Sequence, residues 1–150
     1  DITGEDYTIP VNSGDDVFAD CSGDTNMAKA YTLGILGGYN SADSRSGVYV
    51  GPDDLITREQ AATMLARLMA RLDEGLGRSM LDRMTGVTLP FVDAIADWAL
   101  NSVETVYEAG IMYGTSGTTF SGKDNYTVEQ SIVTIMRISE WSMMGGDFDY

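Results

Sequence analysis

The chain has 150 residues, 43% of them hydrophobic, which suits one compact domain or two small repeats on a shared core and argues against disorder. Nine basic residues against 23 acidic ones give a net charge of −14, which excludes the basic surface that non-specific nucleic-acid or anionic-membrane binding needs. Histidine is absent and Cys21 is the one cysteine, so Ser-His-Asp and Cys-His nucleophiles, an HExxH metal site, an internal disulfide and a cysteine-rich zinc site are all excluded.

Residues 1–17 are polar, with one extended candidate, Tyr7 to Val11, which Pro10 confines to an edge strand or an arm. Asp1 stands where an initiator Met would, so the segment reads as mature or excised, with any targeting signal out of view. No apolar run approaches the ~18 residues that a membrane span requires. After Phe18-Ala19-Asp20 a short helix is expected from Thr25 or Asn26 to Leu36, stopped at Gly37-Gly38. Residues 39–55 read as a long loop with a β-ribbon around Val48 to Val50 and a turn at Gly51-Pro52-Asp53-Asp54.

Thr57 is a natural N-cap, and Gln60, three residues on, can reach back to the cap's own N–H in a capping box. The helix it opens runs from Arg58 to about Asp73. Ala61, Met64, Leu65, Leu68, Met69 and Leu72 form its apolar face, and Arg67 and Arg71 lie off that face. Gly75 and Gly77 break the pattern. Arg78 to Met84 is a candidate short amphipathic helix in a connector that ends at Thr88-Leu89-Pro90.

The pattern then restarts. Phe91-Val92-Asp93 echoes Phe18-Ala19-Asp20, and Trp98, Val103, Val106 and Tyr107 line a helix ending at Gly110. Gly110-Ile111-Met112-Tyr113-Gly114 echoes Gly34-Ile35-Leu36-Gly37-Gly38. Thr127 and Gln130 form a second capping-box pair, opening a helix from Val128 to about Trp141, and residues 145–150 read as a frayed tail. Thr57 and Thr127 are 70 residues apart, and at that offset Phe120 matches Val50, Ile135 matches Leu65, Arg137 matches Arg67 and Ile138 matches Leu68. Gly34 and Gly110 are 76 apart and Phe18 and Phe91 are 73 apart, a drift expected when insertions fall in loops.

The order F-x-D, helix, G-I-x-x-G, loop, T-R-x-E/Q, helix resembles the S-layer homology (SLH) motif. Phe18, Asp20, Gly34, Ile35, Gly38, Pro52, Ile56, Thr57, Arg58 and Glu59 carry the resemblance in the first copy. Phe91, Asp93, Trp98, Ala99, Gly110, Ile111, Gly114, Phe120, Thr127 and Glu129 carry it in the second. The resemblance implies a helical module of bacterial cell surfaces. Such modules usually come in threes, and they anchor proteins to anionic, often pyruvylated, cell-wall polysaccharide held by the Arg after the capping Thr and its groove neighbours. Two copies are clear here. Val128 stands where the second copy would have that Arg, and the first copy lacks a counterpart of Trp98.

Ligand-binding candidates are Arg58, Thr57, Glu59, Asp20, Asp93, Trp98 and Tyr113. Arg58, in the first helical turn, could grip an anion alongside free backbone N–H groups, or it could form a solvated pair with Asp53 or Asp54. On that reading Arg58→Ala leaves folding intact and weakens binding. Trp98 could stack on a sugar, but at helical spacing it reads first as core, as do Phe18, Phe91, Tyr31 and Tyr107. Asp20 and Asp93 read first as caps or turn braces. Tyr39, Tyr49 and Tyr113 are loop tyrosines that could line a groove. Asp15-Asp16, Asp43 and Asp53-Asp54 lack the spacing of a calcium loop, and Met143-Met144 could belong to an interface.

The sequence therefore predicts a mainly α fold of two SLH-like helix-loop-helix repeats packed as one domain, with short extended segments in loops. The expected divisions are an arm (1–17), repeat 1 (18–74), a connector (75–90), repeat 2 (91–142) and a tail (143–150). The expected role is non-catalytic, without cofactor or metal. It is a cell-surface module that binds anionic cell-wall polysaccharide and anchors a larger protein to the bacterial envelope. The alternative is a scaffold for protein–protein contact or self-association that does not bind glycan, and a homo-oligomer fits either reading.

Overall fold

The computed structural model describes residues 18–21, 23–37, 39–40 and 48–143. The Tyr7–Val11 strand, Asp15-Asp16, Asp43, Met144 and the tail fall outside the described residues. Packing divides the chain into two compact units, with the division between Asp54 and Leu55. The repeat boundary expected after residue 74 is thus one of sequence, and the packing boundary lies before the helix that closes repeat 1.

In the first unit, α1 (Thr25–Thr32) is capped by Asp24, whose Oδ1 accepts from the Asn26 and Met27 N–H groups. The helix stops four residues earlier than expected. Gly34, ahead of the expected stop, takes the left-handed φ of 70°, and the N–H groups of Gly34 and Ile35 donate to the carbonyls of Tyr31 and Ala30. This is the Schellman arrangement, in which glycine turns the chain and its own N–H and the next one satisfy orphan carbonyls of the last turn. The expected ribbon is present as β1 (Tyr39–Asn40) antiparallel to β2 (Val48–Tyr49), with Tyr39 opposite Tyr49 and Asn40 opposite Val48.

The second unit contains α2 (Arg58–Gly75), α3 (Asp97–Glu108) and α4 (Val128–Met143). Its core joins Ala62, Leu65 and Met69 of α2 to Ala99, Val103 and Val106 of α3, with Ile111, Met112 and Phe120 from the following loop and Ile138 and Trp141 from α4. Each large side chain fully buried there contributes roughly 1.5–3 kcal/mol. The buried stripe of α3 runs through positions 99, 103 and 106, so Trp98, one residue earlier, points away from it and is 59% exposed. This corrects its reading as core. The connector holds only a one-turn 3₁₀ segment, Leu81–Arg83, in place of a longer amphipathic helix. Its start is fixed by the buried Asp73 carboxylate, which accepts from the Met80 and Leu81 N–H groups, while Arg78 reaches the Ser142 carbonyl of α4.

The two repeats share their stabilising contacts as well as their residue types. Phe18 meets Tyr31 edge to face at 5.3 Å and 78°, and Phe91 meets Tyr107 at 5.4 Å and 79°. Asp20 accepts from the N–H groups of Val50 and Gly51, and Asp93 accepts from those of Phe120 and Ser121. Gly110 repeats the φ of 70° of Gly34, and the Gly110 and Ile111 N–H groups donate to Tyr107 and Val106. The G-I pair in each repeat is therefore a helix stop: glycine supplies the left-handed turn, and isoleucine folds back on the helix it ends.

Candidate functional site

The site is built around the start of α2. Thr57 Oγ1 accepts from the Gln60 N–H at 3.3 Å, and Gln60 Oε1 accepts from the Thr57 N–H at 2.7 Å, so the capping box forms as expected. The Arg58 and Glu59 N–H groups donate at 3.0 Å to the carbonyls of Asp124 and Gly122, and Tyr126 N–H donates to the Ile56 carbonyl. The segment 120–126 thus occupies the donors that the first helical turn leaves open. This corrects the expectation that an anion would find free backbone N–H groups beside Arg58.

Arg58 itself is buried. Its Nε donates to the Phe120 carbonyl at 2.9 Å, its Nη2 donates to the Tyr113 carbonyl at 2.6 Å, and the guanidinium lies over the Phe120 ring at 5.0 Å. The solvated ion pair considered for this residue gives way to a buried cation whose hydrogen bonds go to carbonyl oxygens. Burial pushes its pKa below the ordinary arginine value, opposed by Tyr126, Asp124 and Asp93. An arginine starts so far above neutrality that it keeps its charge. Nη1 has no hydrogen bond among the described residues.

A groove of about 470 Å³ opens beside it, lined by Arg58, Tyr113, Tyr126, Gln130, Thr134 and Arg137 among others. Arg137 of α4 donates to the Ile111 carbonyl at 3.2 Å and places its guanidinium 4.9 Å from the centre of the Tyr113 ring. Tyr113 is half exposed and leans edge-on against Tyr107. Tyr126 and Thr134 share a hydrogen bond between their hydroxyls. Burial raises the Tyr126 pKa, with the Thr134 hydrogen bond and the Arg58 charge pulling it down. Two guanidinium groups, an open aromatic ring and several hydroxyl and amide groups thus line one wall system, suited to an anionic, hydroxyl-rich ligand.

Of the ligand-binding candidates named from the sequence, the fold brings Arg58 and Tyr113 to this groove, while Thr57 is taken up in the cap of α2 and is not among the lining residues. Glu59 is buried away from the groove's lining, accepting from Ala96 N–H at 3.0 Å and pairing with Lys123 at 2.7 Å, so it fixes the start of α3. Asp93 braces the Phe120–Ser121 backbone; desolvation acts to raise its pKa, but those two N–H groups outweigh it and, with Arg58 nearby, hold it below the ordinary value. Asp20 braces Val50 and Gly51 in the first unit, where the same balance lowers its pKa. Trp98 is not among the groove's lining residues. Arg137 was not singled out. Beyond its match with Arg67 at the repeat offset, its signal is a cation breaking the apolar run Ile135-Met136-Arg137-Ile138. Among the described residues no three side chains form a metal-ligating group, and no helix is long and apolar enough to cross a membrane.

A profile of the S-layer homology domain matches residues 22–62 and 90–127. No match is found among curated proteins or among solved structures. The family consists of binding and anchoring modules that occur in cell-surface proteins and are known for cell-wall anchoring. The two matched segments take in both G-I helix stops and the capped start of α2, and they cover more than half of the chain, so this protein belongs to the S-layer homology domain family.

Proposed function

We propose that the chain is a non-catalytic cell-surface module that binds an acidic cell-wall polysaccharide, of the pyruvylated class, in the groove around Arg58 and Arg137, and thereby anchors a larger protein to the bacterial envelope. The observation that carries this reading is that both guanidinium groups converge on Tyr113, one through its carbonyl and the other over its ring. Arg58 is locked by two carbonyls and a ring, so little side-chain entropy remains to be lost when Nη1 meets a carboxylate. Arg137 offers a second cation, and the exposed Tyr113 ring offers a face or edge for a sugar. The chain's net charge of −14 makes this local pair of cations more telling, because the rest of the surface repels an anionic polymer.

The test is co-sedimentation with purified bacterial sacculi, with and without their acidic secondary polymer, comparing wild type, Arg137→Gln and the exposed control Arg83→Gln. The expected result is binding that needs the acidic polymer, falls with salt, drops about tenfold in Arg137→Gln and is unchanged in the control. Folded wild-type protein that stays in the supernatant, or Arg137→Gln that binds like wild type, would overturn the reading.

A further inference from the structure

α4 is the repeat counterpart of α2, yet the two helices are used differently. At the offset of 70 residues, Val128, Ile132, Ile135 and Met136 stand where Arg58, Ala62, Leu65 and Ala66 stand. Arg58, Ala62 and Leu65 are buried against the segment 91–126, whereas Val128, Ile132, Ile135 and Met136 are 77%, 56%, 61% and 58% exposed. The difference extends to the backbone. Arg58 and Glu59 N–H groups are taken by the carbonyls of Asp124 and Gly122, while Val128 and Glu129 N–H groups have no partner among the described residues. A helix that keeps four large apolar side chains at i, i+4, i+7 and i+8 on its solvent side has a second buried face to satisfy.

The complementary half of that interface is also in the chain. Residues 18–54 carry the same braces as 91–126: the Phe18–Tyr31 edge contact, the Asp20 carboxylate on the Val50 and Gly51 N–H groups, and the glycine stop at Gly34. In the second unit the face covered by α2 includes Val103, Val106, Ile111 and Met112, at 0–2% exposure. Their counterparts 76 residues earlier, Met27, Ala30, Ile35 and Leu36, are only half-buried, and α1 has no buried residue.

We propose that α4 of one copy of this chain docks on the face of Met27, Ala30, Ile35 and Leu36 of a second copy, repeating between molecules the packing that α2 makes on residues 91–126. Val128, Ile132, Ile135 and Met136 then cover Met27, Ala30, Ile35 and Leu36, and the first-turn N–H groups of α4 meet carbonyls of the partner's loop ahead of its α2. The contact is heterologous, one face meeting a different face, so each added copy leaves a free α4 at one end and a free docking face at the other. The inference rests on the internal repeat and not on glycan binding, so the two readings fail independently.

The test is sedimentation velocity of the full chain over a concentration series, with Ile135→Asp on the helix face and Met27→Asp on the docking face. Wild type is expected to associate with rising concentration, and each variant alone to weaken association about tenfold or more, since a charge would be buried without a partner. An equimolar mixture of the two variants is expected to form a dimer and nothing larger, because one variant keeps an intact α4 and the other an intact docking face. Circular dichroism melts check folding, and the exposure of Ile135 makes its variant the safer one. A wild type that stays monomeric throughout would overturn the proposal. So would association that Ile135→Asp leaves unchanged, or a mixture that does not dimerise.

Discussion

Arg58 donates through Nε to the Phe120 carbonyl at 2.9 Å and lies over the ring of the same residue, 5.0 Å from its centre. One side chain thereby reads both the backbone and the ring of a residue 62 positions away, and it belongs to the repeat before the one it braces. The guanidinium is first a structural part of the second unit and only then a candidate ligand group. Arg58→Ala would leave two inward-facing carbonyls without their donor, at about 1–3 kcal/mol for each buried group left unpaired. This reverses the expectation that the substitution spares folding. Urea denaturation should show a lower midpoint for Arg58→Ala and partial recovery in Arg58→Lys, which keeps the charge and one reach to a carbonyl. Equal midpoints for wild type and Arg58→Ala would mean that the carbonyls find water without cost.

Asp93 supplies a pH dependence with a defined sign. Its folded-state pKa lies below the ordinary value, because the Phe120 and Ser121 N–H groups favour the carboxylate over desolvation. A group with a depressed folded pKa adds stability that is fully present above its unfolded value and is lost as pH falls through the folded one. Asp93→Asn keeps one acceptor oxygen for two N–H groups and should cost about 1–3 kcal/mol at neutral pH. The gap between variant and wild type should narrow on acidification below about pH 4, where the unfolded carboxylate begins to take its proton. Thermal melts of both proteins across that range check this. A gap that stays constant would show that the brace works through shape and not charge.

Gly114 tests a different cause. A Cβ at this position would lie 2.4 Å from the Thr119 carbonyl oxygen, 2.6 Å from that of Ser116 and 2.6 Å from a ring carbon of Phe91. Two of those atoms are backbone, and the Thr119 carbonyl is already held by Thr115 N–H at 2.9 Å, so the neighbours cannot simply yield. Gly114→Ala should therefore destabilise by about 1–3 kcal/mol, as overpacking does. Gly117→Ala, with no atom within 4 Å of its Cβ, should fall within about 0.5 kcal/mol of wild type. Denaturation of the pair separates close approach from a general need for glycine in this loop.

These positions explain what was legible in the sequence. The capping boxes and the G-I stops depend on residues within one or two helical turns of each other, so their spacing announces them. The match of Val50 with Phe120 at the repeat offset also pointed to a real equivalence, since Asp20 and Asp93 brace those two residues in the same way. What stayed hidden is non-local. Nothing in Thr57-Arg58-Glu59 says that residues 120–126 will occupy the helix start, or that Glu59 will be buried against Ala96 and Lys123. Trp98 was misread for a simpler reason: one residue of register, about 100° of helix, separates it from the stripe of Ala99, Val103 and Val106.

Tyr113 divides the groove's own contribution from that of its charges. Its ring lies beneath the Arg137 guanidinium and edge-on to Tyr107 at 5.8 Å, while almost half of its surface faces solvent. Tyr113→Phe keeps both ring contacts and should bind acidic cell-wall polysaccharide close to the wild-type level. Tyr113→Ala removes the platform under Arg137 and frees that guanidinium to move, so affinity should fall about tenfold and stability by about 1 kcal/mol. Titration of both variants with the purified polymer, alongside melting curves, distinguishes the outcomes. Equal losses in Phe and Ala would assign the effect to the hydroxyl. Unchanged binding in a folded Tyr113→Ala would move the ligand off this wall of the groove, leaving Arg58 Nη1 as the remaining point of attachment.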